Sequence, residues 1–155
     1  MYSVLFVCTG NQYRSPIAAE TFRKQLVHDG LDSQWKVKSA GTWTSSGKHA
    51  PREAVELARS FGVNIDDHVT RIVDAKLLEE FDLVLVMEEG HKESIQVEFP
   101  FARKKVHLLS QVLDGIAYDV PDPARANEES REIIRDLVAM IRAGFGKIYS
   151  IAEAS

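Results

Sequence analysis

The run Val4-Leu5-Phe6-Val7-Cys8-Thr9-Gly10-Asn11-Gln12-Tyr13-Arg14-Ser15-Pro16 decides how the rest of the chain is read. Its first four residues form a continuous apolar block bounded by turn formers, which suits a strand buried on both faces. Beyond Pro16 the period changes. Ala18, Phe22 and Leu26 are spaced four apart with Ile17 beside them, one apolar helical stripe reaching about His28. Ser15 is expected to cap this helix, with Pro16 as its first residue. The segment between strand and helix must wrap tightly, and Gly10 and Asn11 both tolerate left-handed dihedrals. A wrapped loop turns successive backbone N–H groups inward as an anion-sized nest, and the following helix adds its unpaired N–H groups and positive dipole end. Arg14 can close the ring with a planar two-pronged donor. Cys8 then lies on the floor, where the same dipoles favour a thiolate, with a pKa expected below the free value of about 8.5. The competing reading is a small core cysteine, a chance C-x(5)-R match and a surface arginine. The strand before the loop and the helix after it favour the nest.

Working outward, strand and helix patterns alternate. Val37 to Ala40 reads as a second strand ending at Gly41. Ala54, Leu57, Ala58 and Phe61 form a helical stripe stopped by Gly62. Phe81 to Met87 is another buried-strand run, and Val106 to Leu109 is a fourth strand candidate. Ile133, Ile134, Leu137, Met140 and Ile141 mark a C-terminal helix expected to stop near Gly144. The alternation predicts an α/β fold: a single-domain three-layer sandwich with a central four-stranded parallel sheet and helices on both faces. Ligands in such folds sit beyond the carboxyl ends of the strands, and Cys8 occupies one such end.

Composition narrows the function classes. The chain has 155 residues, 45% hydrophobic and 27% charged, which excludes wholesale disorder and fits one domain spanning residues 1–155. A formal net charge of -4 lacks the footprint of a general nucleic-acid binder, so no nucleic-acid partner is expected. The N-terminus has no basic leader, and no apolar stretch is long enough to span a bilayer, so a cytoplasmic location without a membrane span is expected. The single cysteine supports neither an internal disulfide nor a multi-thiolate metal site. No metal and no cofactor are expected. Glu88 and His91 lie one helical turn apart, but no third ligand is evident, and they read as a solvated helix start.

Several segments, taken in order, resemble the low-molecular-weight protein tyrosine phosphatases along nearly the whole chain. They are Val7-Cys8-Thr9-Gly10-Asn11 with Arg14-Ser15-Pro16, then Ser39-Ala40-Gly41-Thr42, then Asp67-His68 with Arg71. Met87-Glu88 with His91 and Val120-Pro121-Asp122-Pro123 complete the set. The resemblance implies a phosphate-binding loop, Thr9 to Ser15, with Cys8 as nucleophile and Arg14 holding the transferred group. Asp122 is implied as general acid in a stiff Pro-Asp-Pro loop. Taken alone Asp122 also reads as a turn aspartate, with Asp119 as a rival acid. Asn11, Ser39 and His68 are implied as supporting hydrogen-bond partners, although Ser39 also reads as a strand-end serine and His68 as a loop histidine. Trp43, Tyr13 and Ala124 fall at the substrate cleft, with Trp43 alternatively a core residue.

Two departures stand out. Many relatives carry a second cysteine where this chain has Tyr13, and a tyrosine where it has Ala124; Tyr118 is a candidate replacement for that missing wall. The implied substrates are phosphotyrosine proteins or small aryl phosphates, with phosphate or arsenate as inhibitory oxyanions. Alternative readings are an arsenate reductase using an external low-mass thiol, since no internal thiol relay exists, and a protein arginine phosphatase. The arginine branch resembles this loop but uses a threonine where this chain has Gln12. A non-enzymatic phosphate binder is disfavoured by the joint presence of Cys8, Arg14 and Asp122.

Overall fold

The structure is a computed structural model that describes residues 1–123 and 127–154. Strand β1 (Tyr2–Cys8) leads into helix α1 (Arg14–His28), followed by β2 (Trp35–Gly41) and α2 (Arg52–Ser60). Next come α3 (Ala75–Glu79), β3 (Leu83–Val86), α4 (Glu89–Glu98), β4 (Val106–Leu108), α5 (Leu109–Asp114) and α6 (Glu128–Ala154). The four strands form one parallel sheet in the order β2-β1-β3-β4. The expected α/β sandwich is therefore the observed architecture.

Both faces of β1 are buried, and alternate residues serve different layers. Val4, Phe6 and Cys8 face a core shared with α1, α2, α5 and α6. Leu5 and Val7 face a second core built with α3 and α4. Phe22 of α1 anchors the first layer, its ring 5.8 Å from Phe6, 5.1 Å from Trp35 and 5.1 Å from Phe145. Truncating such a buried aromatic costs about 3–5 kcal/mol. This places Cys8 at a rigid strand end, in register with Gly41 of β2.

Three expectations are corrected. Helix α1 begins at Arg14, two residues earlier than expected, and Ser15 makes no cap bond. Its hydroxyl is drawn instead to the Cys8 sulfur and the Asn11 amide, as described below. Gly10 does not use positive φ; Asn11 alone does so in the loop, at φ 57. Helix α6 does not stop at Gly144 but runs to Ala154, because Ile148 and Ala152 continue its buried stripe. Gly144 is there for packing. A Cβ on it would lie 2.6 Å from Leu113 Cδ2 and 3.1 Å from Leu113 Cβ, so its absence lets α5 close on α6. Short elements without a long apolar period, α3, α4 and α5, escaped the periodicity reading.

Candidate active site

The carboxyl ends of β1, β2 and β3 supply the site. Leaving β1, the chain folds Cys8 to Ser15 into a loop pinned from below by β2: Thr42 N–H donates to Cys8 O and Trp43 N–H to Thr9 O, both at 3.0 Å. Gly41 permits this approach, since a Cβ there would stand 2.5 Å from Thr9 O. Cys8 is 2% exposed at the floor. Its sulfur accepts from Asn11 N–H at 3.3 Å and lies 2.9 Å from Ser15 Oγ. Ser15 Oγ is also 3.3 Å from Ala40 O, to which it can donate. One hydroxyl proton thus has two acceptors: Ala40 O when the sulfur is a thiol, the sulfur itself when it is a thiolate.

Asn11 holds the loop in its left-handed turn. It is fully buried, and its Nδ2 donates to Ser15 Oγ at 2.8 Å and to Ser39 Oγ at 3.0 Å. Its Oδ1 accepts from Arg71 N–H at 2.9 Å, and its carbonyl accepts from His68 Nε2 at 2.6 Å. Burial lowers the His68 pKa, opposed by the Asn11 carbonyl and reinforced by the Arg71 charge. Nε2 carries a proton on this bond, since a carbonyl oxygen only accepts. Ser39 and His68 thus both hydrogen-bond to Asn11.

Arg14 is only 2% exposed, a charge that needs partners at that burial. Its Nη1 donates to Glu88 Oε2 at 2.5 Å and to Val120 O at 2.8 Å. Its Nη2 reaches Thr9 Oγ1 at 3.4 Å and stands 4.0 Å from Asp122 Oδ1. The segment carrying Asp122 is fastened to the sheet, because Val120 N–H donates to Met87 O at 2.9 Å just past β3. Asp122, with an exposed side chain, overhangs a cavity of about 330 Å³ lined by Cys8, Thr9, Gly10, Gln12, Tyr13, Arg14, Asp122 and Pro123. Asp119 is occupied elsewhere: its Oδ1 accepts from Glu89 N–H at 2.8 Å, at the start of α4.

The cleft residues divide. Tyr13 lines the Cys8 cavity, and its hydroxyl pKa is raised, first by burial and then by the Glu53 and Asp122 charges. Trp43 is 83% exposed, so the core reading fails for it. It lines an adjoining cavity of about 480 Å³ that shares Gly10 and Gln12 with the first. Tyr118 donates to Asp114 and approaches Met140 Sδ at 3.4 Å, and it is not among the residues lining the Cys8 cavity. Ala124 lies outside the described residues.

Glu88 and His91 do open a helix, α4, but the pair is not solvated. His91 is buried, its Nδ1 accepts from Glu88 N–H at 3.2 Å, and its Nε2 meets Thr9 Oγ1 at 2.8 Å. The signal was available: an acid at the end of a buried strand with a polar residue three positions on, a capping box opening α4. Among the described residues no group of three or more metal-ligating side chains forms.

A sequence model of the low molecular weight phosphotyrosine protein phosphatase family matches residues 3–151. The chain belongs to that family and is a phosphatase enzyme, acting on phosphoproteins or phosphate esters. A relative from Klebsiella pneumoniae is 41% identical over 128 residues, covering 83% of each chain. A protein-arginine-phosphatase from Bacillus subtilis is 33% identical over 147 residues, covering 90% of this chain and 96% of its own. The crystal structure of a low molecular weight protein tyrosine phosphatase from T. tengcongensis superposes with a TM-score of 0.86 at 34% identity, over 95% of this chain and 99% of that one. No helix among the described residues is long and apolar enough to cross a membrane.

Proposed function

We propose that residues 1–155 form a single cytoplasmic phosphatase domain that hydrolyses phosphotyrosine on proteins, and small aryl phosphates, through a cysteinyl-phosphate. The observation that carries this reading is the Cys8 sulfur on the floor of the loop, 2.9 Å from Ser15 Oγ and under the Asn11 N–H. The Cys8 thiolate attacks phosphorus in line. The S–P bond forms as the P–O bond to the leaving group breaks, and Asp122 gives that oxygen its proton. Loop N–H groups from Thr9 to Ser15 and the Arg14 guanidinium hold the equatorial oxygens, and preorganised donors of this kind supply much of the rate. Water then attacks phosphorus, Asp122 takes its proton, and Cys8 leaves as thiolate assisted by the Ser15 hydroxyl. Asn11, Ser39 and His68 keep the loop in shape. Tyr13 and Trp43 offer aromatic faces to a phosphotyrosine ring. Free phosphate and arsenate fit the same nest and act as inhibitory oxyanions.

A protein arginine phosphatase is the second reading, favoured by the Bacillus subtilis relative. Gln12, polar and half-buried in the cavity lining, is the residue on which the choice turns. The test is hydrolysis of p-nitrophenyl phosphate without added metal, compared for wild type and Cys8→Ser, beside phosphotyrosine and phosphoarginine peptides and beside arsenate reduction with glutathione. Metal-independent turnover lost in Cys8→Ser and faster on phosphotyrosine supports the first reading. Faster phosphoarginine turnover gives the second, and arsenate turnover without hydrolysis sinks both.

A further inference from the structure

His91 lies outside the loop and outside the acid segment, yet its polar side chain is buried. Its two ring nitrogens are committed in opposite directions. Nδ1 receives the Glu88 backbone N–H at 3.2 Å, and a backbone N–H can only donate. In the neutral ring the proton therefore sits on Nε2, which points at Thr9 Oγ1 at 2.8 Å. Burial favours that neutral form; Glu88, Asp119 and Asp122 oppose it and Arg14 reinforces it.

Thr9 Oγ1 is thus approached by two donors, His91 Nε2–H at 2.8 Å and Arg14 Nη2–H at 3.4 Å. Neither can accept the hydroxyl's own proton. Thr9 lines the Cys8 cavity, so that proton is left to point into the space where phosphoryl oxygens would lie. We propose that His91 is a positioning residue that fixes the Thr9 hydroxyl as an oriented donor to the bound phosphoryl group. The same ring caps α4 at Glu88, and Glu88 Oε2 holds Arg14 Nη1 at 2.5 Å. Two of the site's donors, Thr9 and Arg14, are consequently set from one imidazole. The inference rests on the phosphatase reading, for it supposes that the cavity receives a phosphoryl group.

The experiment is a double-mutant cycle on p-nitrophenyl phosphate hydrolysis with His91→Asn, Thr9→Val and their combination. Asn is chosen because its carbonyl can still accept from Glu88 N–H while its amide is too short to reach Thr9. Each single change is expected to lower kcat/KM about tenfold, the size of one oriented hydrogen bond to a charged group. The double variant is expected to be no worse than Thr9→Val, because His91 acts through Thr9. Thr9→Ser should restore activity to within about threefold of wild type and regain sensitivity to His91→Asn. Losses that multiply, or a His91→Asn enzyme that melts earlier yet turns over normally, overturn the proposal. Should His91→Asn not fold, Thr9→Val against Thr9→Ser decides alone, and equal kcat/KM in the two overturns it. Binding of inorganic phosphate is measured in the Cys8→Ser background with the same changes. A wild type that binds phosphate with this coupling but hydrolyses nothing would defeat the phosphatase reading and leave the positioning role standing.

Discussion

Replacing Asn11 by alanine removes a side chain that ties the Cys8 loop to β2, to α1 and to the segment around Arg71. Three side-chain hydrogen bonds go: to Ser15 Oγ, to Ser39 Oγ and from Arg71 N–H. Each is worth about 1 kcal/mol net where buried. Alanine must also hold φ 57, a left-handed conformation that costs an ordinary residue about 1–2 kcal/mol. The sum is a loss of about 4–5 kcal/mol, a large part of the about 5–15 kcal/mol that a domain of this kind has. Asn11→Gly loses the same bonds without the dihedral penalty and should retain about 1–2 kcal/mol more than Asn11→Ala. Urea denaturation of the three proteins measures both terms. At low denaturant, kcat on p-nitrophenyl phosphate should fall about a hundredfold in each variant, because the loop that sets the Asn11 N–H against the Cys8 sulfur loses its ties. An Asn11→Ala protein within about 0.5 kcal/mol of wild type, or one with unchanged kcat, would refute the assignment of Asn11 as the keystone of the loop.

Further predictions are as follows. Asp122→Asn should lower kcat by about two to four orders of magnitude, while Asp119→Asn, which weakens only the anchor at Glu89, should cost less than tenfold; the reverse ranking in steady-state kinetics would move the acid to Asp119. Gly144→Ala should destabilise by about 1–3 kcal/mol despite alanine's better helix propensity, since the new methyl meets the Cβ of Leu113 and not merely a flexible tip; a raised melting temperature would contradict that packing. Burial leads the lowering of the His68, His91 and His107 pKa values. The unfolded chain then binds more protons than the folded one below the free value of about 6.5, so stability should decline as pH falls through that value towards the depressed folded ones. Denaturant midpoints that rise on acidification from neutral pH would reverse the sign. With a single cysteine, peroxide-oxidised Cys8 has no neighbouring thiol to trap its sulfenic acid. Recovery by added thiol should therefore fade with exposure time, and complete recovery after prolonged peroxide would argue against it.

What was legible in the sequence follows from which signals are local. The central strands β1 and β3 show as apolar runs because the middle of a parallel sheet hides both faces, the edge strands β2 and β4 show only as short segments interrupted by Lys38 and His107, and α1, α2 and α6 show through their stripes. The nest was readable because Cys8, Asn11, Arg14 and the helix start lie within one short segment. The end of α6 was misjudged because a glycine that makes room for Leu113 looks, in sequence, like a glycine that stops a helix. Ser15 was misassigned for a similar reason: a serine beside a helix start reads as a cap until the sulfur that claims its hydroxyl is seen. Glu88 and His91 were passed over because their partners, Arg14 and Thr9, are distant in the chain, and only the closing of the sheet brings β3 beside β1.

That last point bears on how the protein is made. The loop with Cys8 leaves the ribosome well before the residues that hold it: Arg14 waits for a carbonyl 106 residues downstream, and Thr9 for an imidazole 82 residues downstream. Contacts of such separation form late, after the entropy of closing long loops has been met. An unfinished chain ending before Val120 therefore carries the loop with its guanidinium short of one holder, the Val120 carbonyl, while Glu88 is already in hand. Under the proposed chemistry, competence waits for the segment from Val120 to Asp122, and affinity for a simple oxyanion becomes a gauge of whether that distant segment has closed on the loop.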